Sequence, residues 1–129
     1  MVEATDWFLK SFKSANLNVG YFGASTGAAA ALVAAAERPG VVKAVVSRGG
    51  RPDLAGVHLG SVKCPTLLLV GGYDDVVIDL NKQAMAKMKS EKKLIIIPEA
   101  THLFEEPGKL EEVAQHASNW FLRHLGDSN

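Results

Sequence analysis

The chain has almost no cysteine. Cys64 is alone among 129 residues, so no disulfide can form within the chain. Beside Pro65, at the head of an apolar run, it reads as a small core residue of a reduced, cytoplasmic protein. Charge of one sign is missing too: 14 Lys and Arg offset 14 Asp and Glu, for a net charge of zero. Without a basic stripe, nucleic acid is not expected as a partner. The one local cluster, Lys87, Lys89, Lys92 and Lys93, reads as a solvated helix end that complements the negative pole of the helix. The start, MVEATDWF, lacks a basic region and a cleavage signal, so nothing in it points to secretion. Repeats and low-complexity segments are absent. The length suits one domain, residues 1–129, with a single core.

Long hydrophobic runs are scarce as well. The longest candidate, VGYFGASTGAAAALVAAA from Val19 to Ala36, is barely long enough to span a bilayer. Its Gly, Ser, Thr and Ala would make a poor hydrocarbon-facing surface, so no membrane association is expected. It is not a phosphate loop either. No Lys-Ser/Thr pair follows Gly23 and Gly27, and the spacing is not G-x-G-x-x-G. It reads as a strand, Val19 to Phe22, running into an Ala-rich helix, Gly27 to Glu37, stopped before Arg38-Pro39-Gly40.

Alternation of the two periodicities continues along the chain. Val2 to Phe12 reads as a helix, with Trp7, Phe8, Leu9 and Phe12 around much of its circumference. Val41–Ser47, Pro65–Val70 and Lys93–Ile97 read as strands. Ile78–Lys89, using Leu80, Ala84, Met85 and Met88, and Lys109–Leu125, burying Leu110, Val113, Ala114, Ala117 and Phe121, read as amphipathic helices. Arg48 to Lys63 is the least regular part. Continuously apolar strands suit a parallel sheet covered on both sides. The expected fold is therefore α/β: a four-stranded parallel sheet with helices on both faces.

At the first strand-to-helix junction, GASTG fits G-x-S-x-G. A serine in that sharp turn brings its flanking positions against strand and helix, where only glycine fits comfortably, hence Gly23 and Gly27. The turn would aim the Ser25 hydroxyl at the helix N-terminus, where the Thr26 amide can donate to a developing oxyanion. A plain N-cap serine in a Gly-rich turn is the alternative. What favours catalysis is the order of partners, since a serine alcohol needs a base and the base an orienting acid. Asp74 follows the strand PTLLLV, and His102 follows KLIII, each at the C-terminal edge where open α/β sheets bind ligands. Asp75 is the reserve acid or a helix cap, and Asp79 is already inside a helix. His58 lies in the irregular connection, and His116 and His124 read as surface or rim residues of the last helix. Arg48 and Arg51 leave the second strand at the same edge. They are candidates to hold a substrate carboxylate or to support the oxyanion, although loop arginines bonded to carbonyls are the plainer reading.

These segments, GYFGASTGAAAAL, AVVSRGGRPDLAG, PTLLLVGGYDDVVIDLN and PEATHLFEEPGKLEEVA, resemble the α/β-hydrolase superfamily, in its dienelactone-hydrolase-related branch. The resemblance implies Ser25 as nucleophile, Asp74 as acid and His102 as base, acting on a small ester or lactone without metal or organic cofactor. It departs from dienelactone hydrolases in having serine where they usually carry cysteine. Similar segments occur in hydrolase domains joined to a phosphoribosyltransferase domain, of which nothing is visible here. The family sheet normally has eight strands with the nucleophile after the fifth, so the chain corresponds to the C-terminal half of that fold. The other half normally gives the second oxyanion donor, whose loss costs about 100- to 1,000-fold in turnover. The lid segment is short, leaving an open site. The rival expectation is a non-catalytic module completed by a partner chain. An open edge at Val19–Phe22 and an apolar first helix lead to a further expectation, a twofold homodimer.

Overall fold

The computed structural model describes residues 9–13, 19–24, 26–102 and 104–125. The strands are β1 (Leu9–Lys13), β2 (Val19–Ala24), β3 (Val42–Arg48), β4 (Thr66–Gly71) and β5 (Lys92–Ile97), the last three built on runs of Val, Leu and Ile without helical spacing. Three α-helices separate or follow them: α1 (Thr26–Glu37), α2 (Asp75–Lys87) and α3 (Lys109–Leu125). A kinked 3-10 segment, Pro52–Ser61, fills the connection that sequence left irregular. The strands lie in the order β1-β2-β3-β4-β5. Strands β2 to β5 are mutually parallel, which is the four-stranded α/β sheet expected.

The N-terminal segment differs from expectation. Of the helix read over Val2 to Phe12, residues 2–8, including Trp7 and Phe8, lie outside the described residues, whereas Leu9–Lys13 is strand β1. It pairs antiparallel with β2, from Leu9 opposite Gly23 to Lys13 opposite Val19. The reason is competition for the backbone. The edge of β2 presents unpaired amides and carbonyls, and a nearby segment that satisfies them outweighs a local helical preference. The outer edge of β2 is therefore occupied by this chain, and the argument for pairing a second copy there no longer holds.

Two apolar layers hold the sheet. On one face Leu32 and Ala35 of α1, Leu59 and Val62, and Ala84 and Met88 of the α2 side pack over Val42 and Val45. Alanines let α1 lie close: Ala28 and Ala31 are completely buried. On the other face Val113, Ala117, Trp120 and Leu125 of α3 cover Ala44, Val46, Leu67, Leu69 and Ile97. Each such fully buried large side chain contributes about 1.5–3 kcal/mol. The stripe of α3 is not quite the one expected. Leu110 and Ala114 are exposed, and Trp120 takes their place, its indole N–H donating to the Pro65 carbonyl at 3.4 Å. Cys64 is buried and free, with its thiol pushed up to about 11 by desolvation. No helix among the described residues is long and apolar enough to cross a membrane.

Candidate active site

Parallel strands put all their C-terminal ends on one edge. There Ala24 of β2 pairs with Arg48 of β3, Arg48 with Leu69 of β4, and Gly71 with Ile97 of β5. The turn from β2 to α1 is tight. A methyl group on Gly23 would lie 2.5 Å from the Gly27 carbonyl oxygen and 2.7 Å from the Ala28 nitrogen, so no larger residue fits. Ser25 lies outside the described residues, between Ala24 at the end of β2 and Thr26 at the start of α1.

Asp74 is set by the turn after β4. Its amide donates to the Gly71 carbonyl at 3.0 Å, and its carbonyl accepts from Ile78 at 2.9 Å, opening α2. It stands at the N-cap position, yet its side chain caps nothing. Instead Asp74 Oδ2 lies 2.9 Å from His102 Nδ1. The carboxylate is the more protected partner, 18% exposed against 41% for the imidazole. Asp75 is the first residue of α2 and is exposed.

The loop that carries His102 is shaped by strain and by stitching. Glu99 and Phe104 have left-handed φ of 61° and 57°, a conformation costing about 1–2 kcal/mol for a residue with a Cβ. Burial of the whole Phe104 ring offsets this. The Ala100 carbonyl accepts from the Tyr73 amide at 3.0 Å, and the Thr101 carbonyl from Phe104 at 3.1 Å. Glu106 closes the loop, accepting from the Thr101 amide at 3.0 Å and from its hydroxyl at 2.8 Å. Those bonds, the amide first, hold the Glu106 carboxyl below its ordinary range. The loop folds back over β3: a methyl on Gly49, whose φ is +55°, would meet the His102 carbonyl oxygen at 3.0 Å and Cε1 at 3.4 Å.

The two arginines part company. The Arg48 guanidinium sits 6.0 Å from the centre of the Phe104 ring, and its buried Nε has no hydrogen-bond partner among the described residues. Burial lowers its pKa. Arg51 is held by Asp53 through two bonds, Nε to Oδ1 at 3.0 Å and a terminal nitrogen to Oδ2 at 2.9 Å. That hydrogen bonding raises the Arg51 pKa and lowers that of Asp53.

The structure thus brings Asp74 and His102 together, with Arg48 on the neighbouring strand end and Arg51 turned to Asp53. His58 lies in the 3-10 segment and His116 in α3. His124 is at the rim of the last helix: its side chain is 12% exposed and lies against Trp120, with ring centres 4.4 Å apart and ring planes 56° apart. Sequence reasoning missed Glu106 and Asn81. Asn81 is fully buried and donates to the Gly50 carbonyl at 3.2 Å, tying α2 to the loop after β3. Neither a loop glutamate nor an asparagine inside a helix gives a sign of its contact from residue type alone. No group of His, Cys, Asp and Glu among the described residues could hold a metal ion.

The family model described as "Dienelactone hydrolase family" matches residues 2–125. The chain belongs to the dienelactone hydrolase family. Among solved structures, this family member is similar to a dienelactone hydrolase from Anabaena variabilis, with 65% identity and a TM-score of 0.81. That match covers 82% of this chain and 49% of the other. The esterase domain of a Rhodothermus marinus protein shares the fold at 23% identity, with a TM-score of 0.71 over 81% of this chain and 60% of that one. Two curated Mycobacterium tuberculosis proteins, each named "Putative phosphoribosyl transferase", are 58% identical over 125 residues. Those 125 residues are 97% of this chain but 28% of either relative. The chain therefore spans little more than a quarter of the curated relatives and about half of the Anabaena enzyme.

Proposed function

We propose that this protein hydrolyses small carboxylic esters or lactones through an acyl-Ser25 intermediate. The observation that carries the reading is the 2.9 Å contact between Asp74 and His102 at the edge where β2 runs into α1. With Nδ1 held by the carboxylate, Nε2 is assigned to take the Ser25 proton as Oγ attacks the substrate carbonyl. The same proton passes to the departing alkoxide, and water then releases the acid by the reverse steps. Asp74 keeps the ring in the required tautomer and balances the imidazolium. The Thr26 amide, at the start of α1, is the donor assigned to the oxyanion. Arg48, desolvated and on the strand end next to Ala24, is assigned to a substrate carboxylate or to the oxyanion; Arg51 has the weaker claim because Asp53 holds it.

A fluorophosphonate probe should label the wild-type protein at Ser25, and short p-nitrophenyl esters should turn over. Absence of labelling in folded protein, or equal turnover by Ser25→Ala, would reject the enzyme in favour of a non-catalytic α/β module. The reading includes a cytoplasmic location, consistent with a lone buried thiol, and a homodimer, argued now from the apolar Trp7 and Phe8 in the sequence and not from the edge of β2, which β1 covers. Sedimentation should report about twice 13.8 kDa, and a monomer at micromolar concentration would remove the dimer.

A further inference from the structure

We propose that Glu106 is a positioning residue for His102, acting through Thr101. Thr101 is the residue immediately before the histidine, and it is fixed at three atoms. Its amide and hydroxyl donate to the two oxygens of Glu106, at 3.0 and 2.8 Å. Its carbonyl accepts from Phe104 at 3.1 Å. With donor, acceptor and side chain all engaged, the backbone of Thr101 has one conformation, and that conformation sets where the next Cα–Cβ bond points.

One residue earlier the loop is tied to the acid as well. The Ala100 carbonyl accepts from Tyr73, the residue immediately before Asp74. The chain thus joins the backbones leading into Asp74 and His102 by one hydrogen bond, and the Glu106 clasp holds the last step to the imidazole. A carboxylate suits this task because both of its oxygens only accept, so neither Thr101 donor can be displaced by a rotated amide. The same bonds lower the Glu106 pKa, which shows that they favour its ionised form.

Stability of the fold does not depend on the same contacts. Glu106 is at the surface of the loop, while the apolar anchor is the buried Phe104. Removing the carboxylate should therefore loosen the histidine without unfolding the domain. The effect on rate rests on the triad reading above; the effect on the imidazole does not.

The test compares wild type with Glu106→Ala, Glu106→Gln and Thr101→Val. It measures the His102 imidazole carbon–proton resonance by NMR (assigned with His102→Gln), the kcat and KM for p-nitrophenyl acetate, and the Tm. Glu106→Ala should broaden or shift the His102 resonance and lower kcat about 10- to 100-fold, the scale of a displacement near 1 Å. KM should stay within about twofold and Tm close to wild type. Glu106→Gln and Thr101→Val, each keeping one of the two bonds, should fall between, and they serve equally if Glu106→Ala does not fold. An unchanged His102 resonance in all folded variants would overturn the proposal. So would losses of kcat that merely follow losses of Tm. If wild type hydrolyses no ester, the hydrolase reading fails, and the NMR comparison still decides the clasp.

Discussion

Two histidine–carboxylate pairs stand at opposite edges of the sheet, and they are built in opposite ways. At the C-terminal edge His102 meets Asp74 at 2.9 Å, with the carboxylate protected and the imidazole 41% exposed. At the other edge His124 lies 3.8 Å from Glu91, just before β5, and here the imidazole is 12% exposed and the carboxylate 52%. The first distance is a hydrogen bond and the second is not. In the first pair the carboxylate is fixed by a turn and the imidazole by a clasped loop, and the imidazole is the exposed member. In the second the ring is packed on Trp120 and its partner is a solvated side chain. The same two chemical groups thus make a hydrogen-bonded pair or a packing element, depending on which member the fold buries.

Breaking the first pair should have the largest effect. Asp74→Asn or His102→Ala should lower ester kcat/KM by about 1,000- to 10,000-fold, whereas Glu91→Gln should leave it within about twofold. Comparable losses from Glu91→Gln would erase the distinction between the pairs. Asp75→Asn should cost far less than Asp74→Asn, and the reverse ranking would name the wrong acid.

A smaller effect is expected where the first pair leans on β3. Gly49→Ala places a methyl 3.0 Å from the His102 carbonyl at a φ of +55°. The backbone strain alone should cost about 1–2 kcal/mol in urea unfolding, together with a loss of turnover. Full activity in that variant would show that His102 does not depend on this contact.

The second pair should show itself in stability and not in rate. Burial lowers the His124 pKa, with Glu91 opposing the shift. Between that lowered value and the ordinary 6.5, the unfolded chain binds more protons than the folded one. This contribution is therefore present above the ordinary value and is lost as pH falls through the lowered one. Urea titrations from pH 7.5 down to 5 should show a decline that His124→Phe, which keeps the stack on Trp120, reduces. An identical slope in that variant would assign the decline to other groups.

The smallest effect belongs to a surface contact. Arg51→Ala breaks a pair whose arginine is 38% exposed, and should cost about 0.2–1 kcal/mol with little change in KM. A large rise in KM would show that Arg51 leaves Asp53 to bind substrate.

Local pattern settled a good deal. Apolar runs without helical spacing at Val42–Arg48 and Thr66–Gly71 could satisfy their backbones only in a sheet, and the intervening helices required a parallel one. G-x-S-x-G marked a turn tight enough to exclude a Cβ at Gly23. The order of Asp74 and His102 after β4 and β5 put both at one edge, because parallel strands end together. These features depend on period, turn chemistry and chain order, which are written along the chain.

Tertiary structure decided the rest. Leu9–Lys13 became a strand because β2 offered it a ladder, a fact about a neighbour and not about its own residues. His124 came to lie against Trp120 because α3 turned Trp120 inward, a choice of helix phase that depends on the shape of the sheet beneath. Glu106 met Thr101 only because Glu99 and Phe104 took left-handed conformations that bent the loop back on itself. Short-range preference fixes which atoms must find partners, and only packing in three dimensions fixes which partners they find.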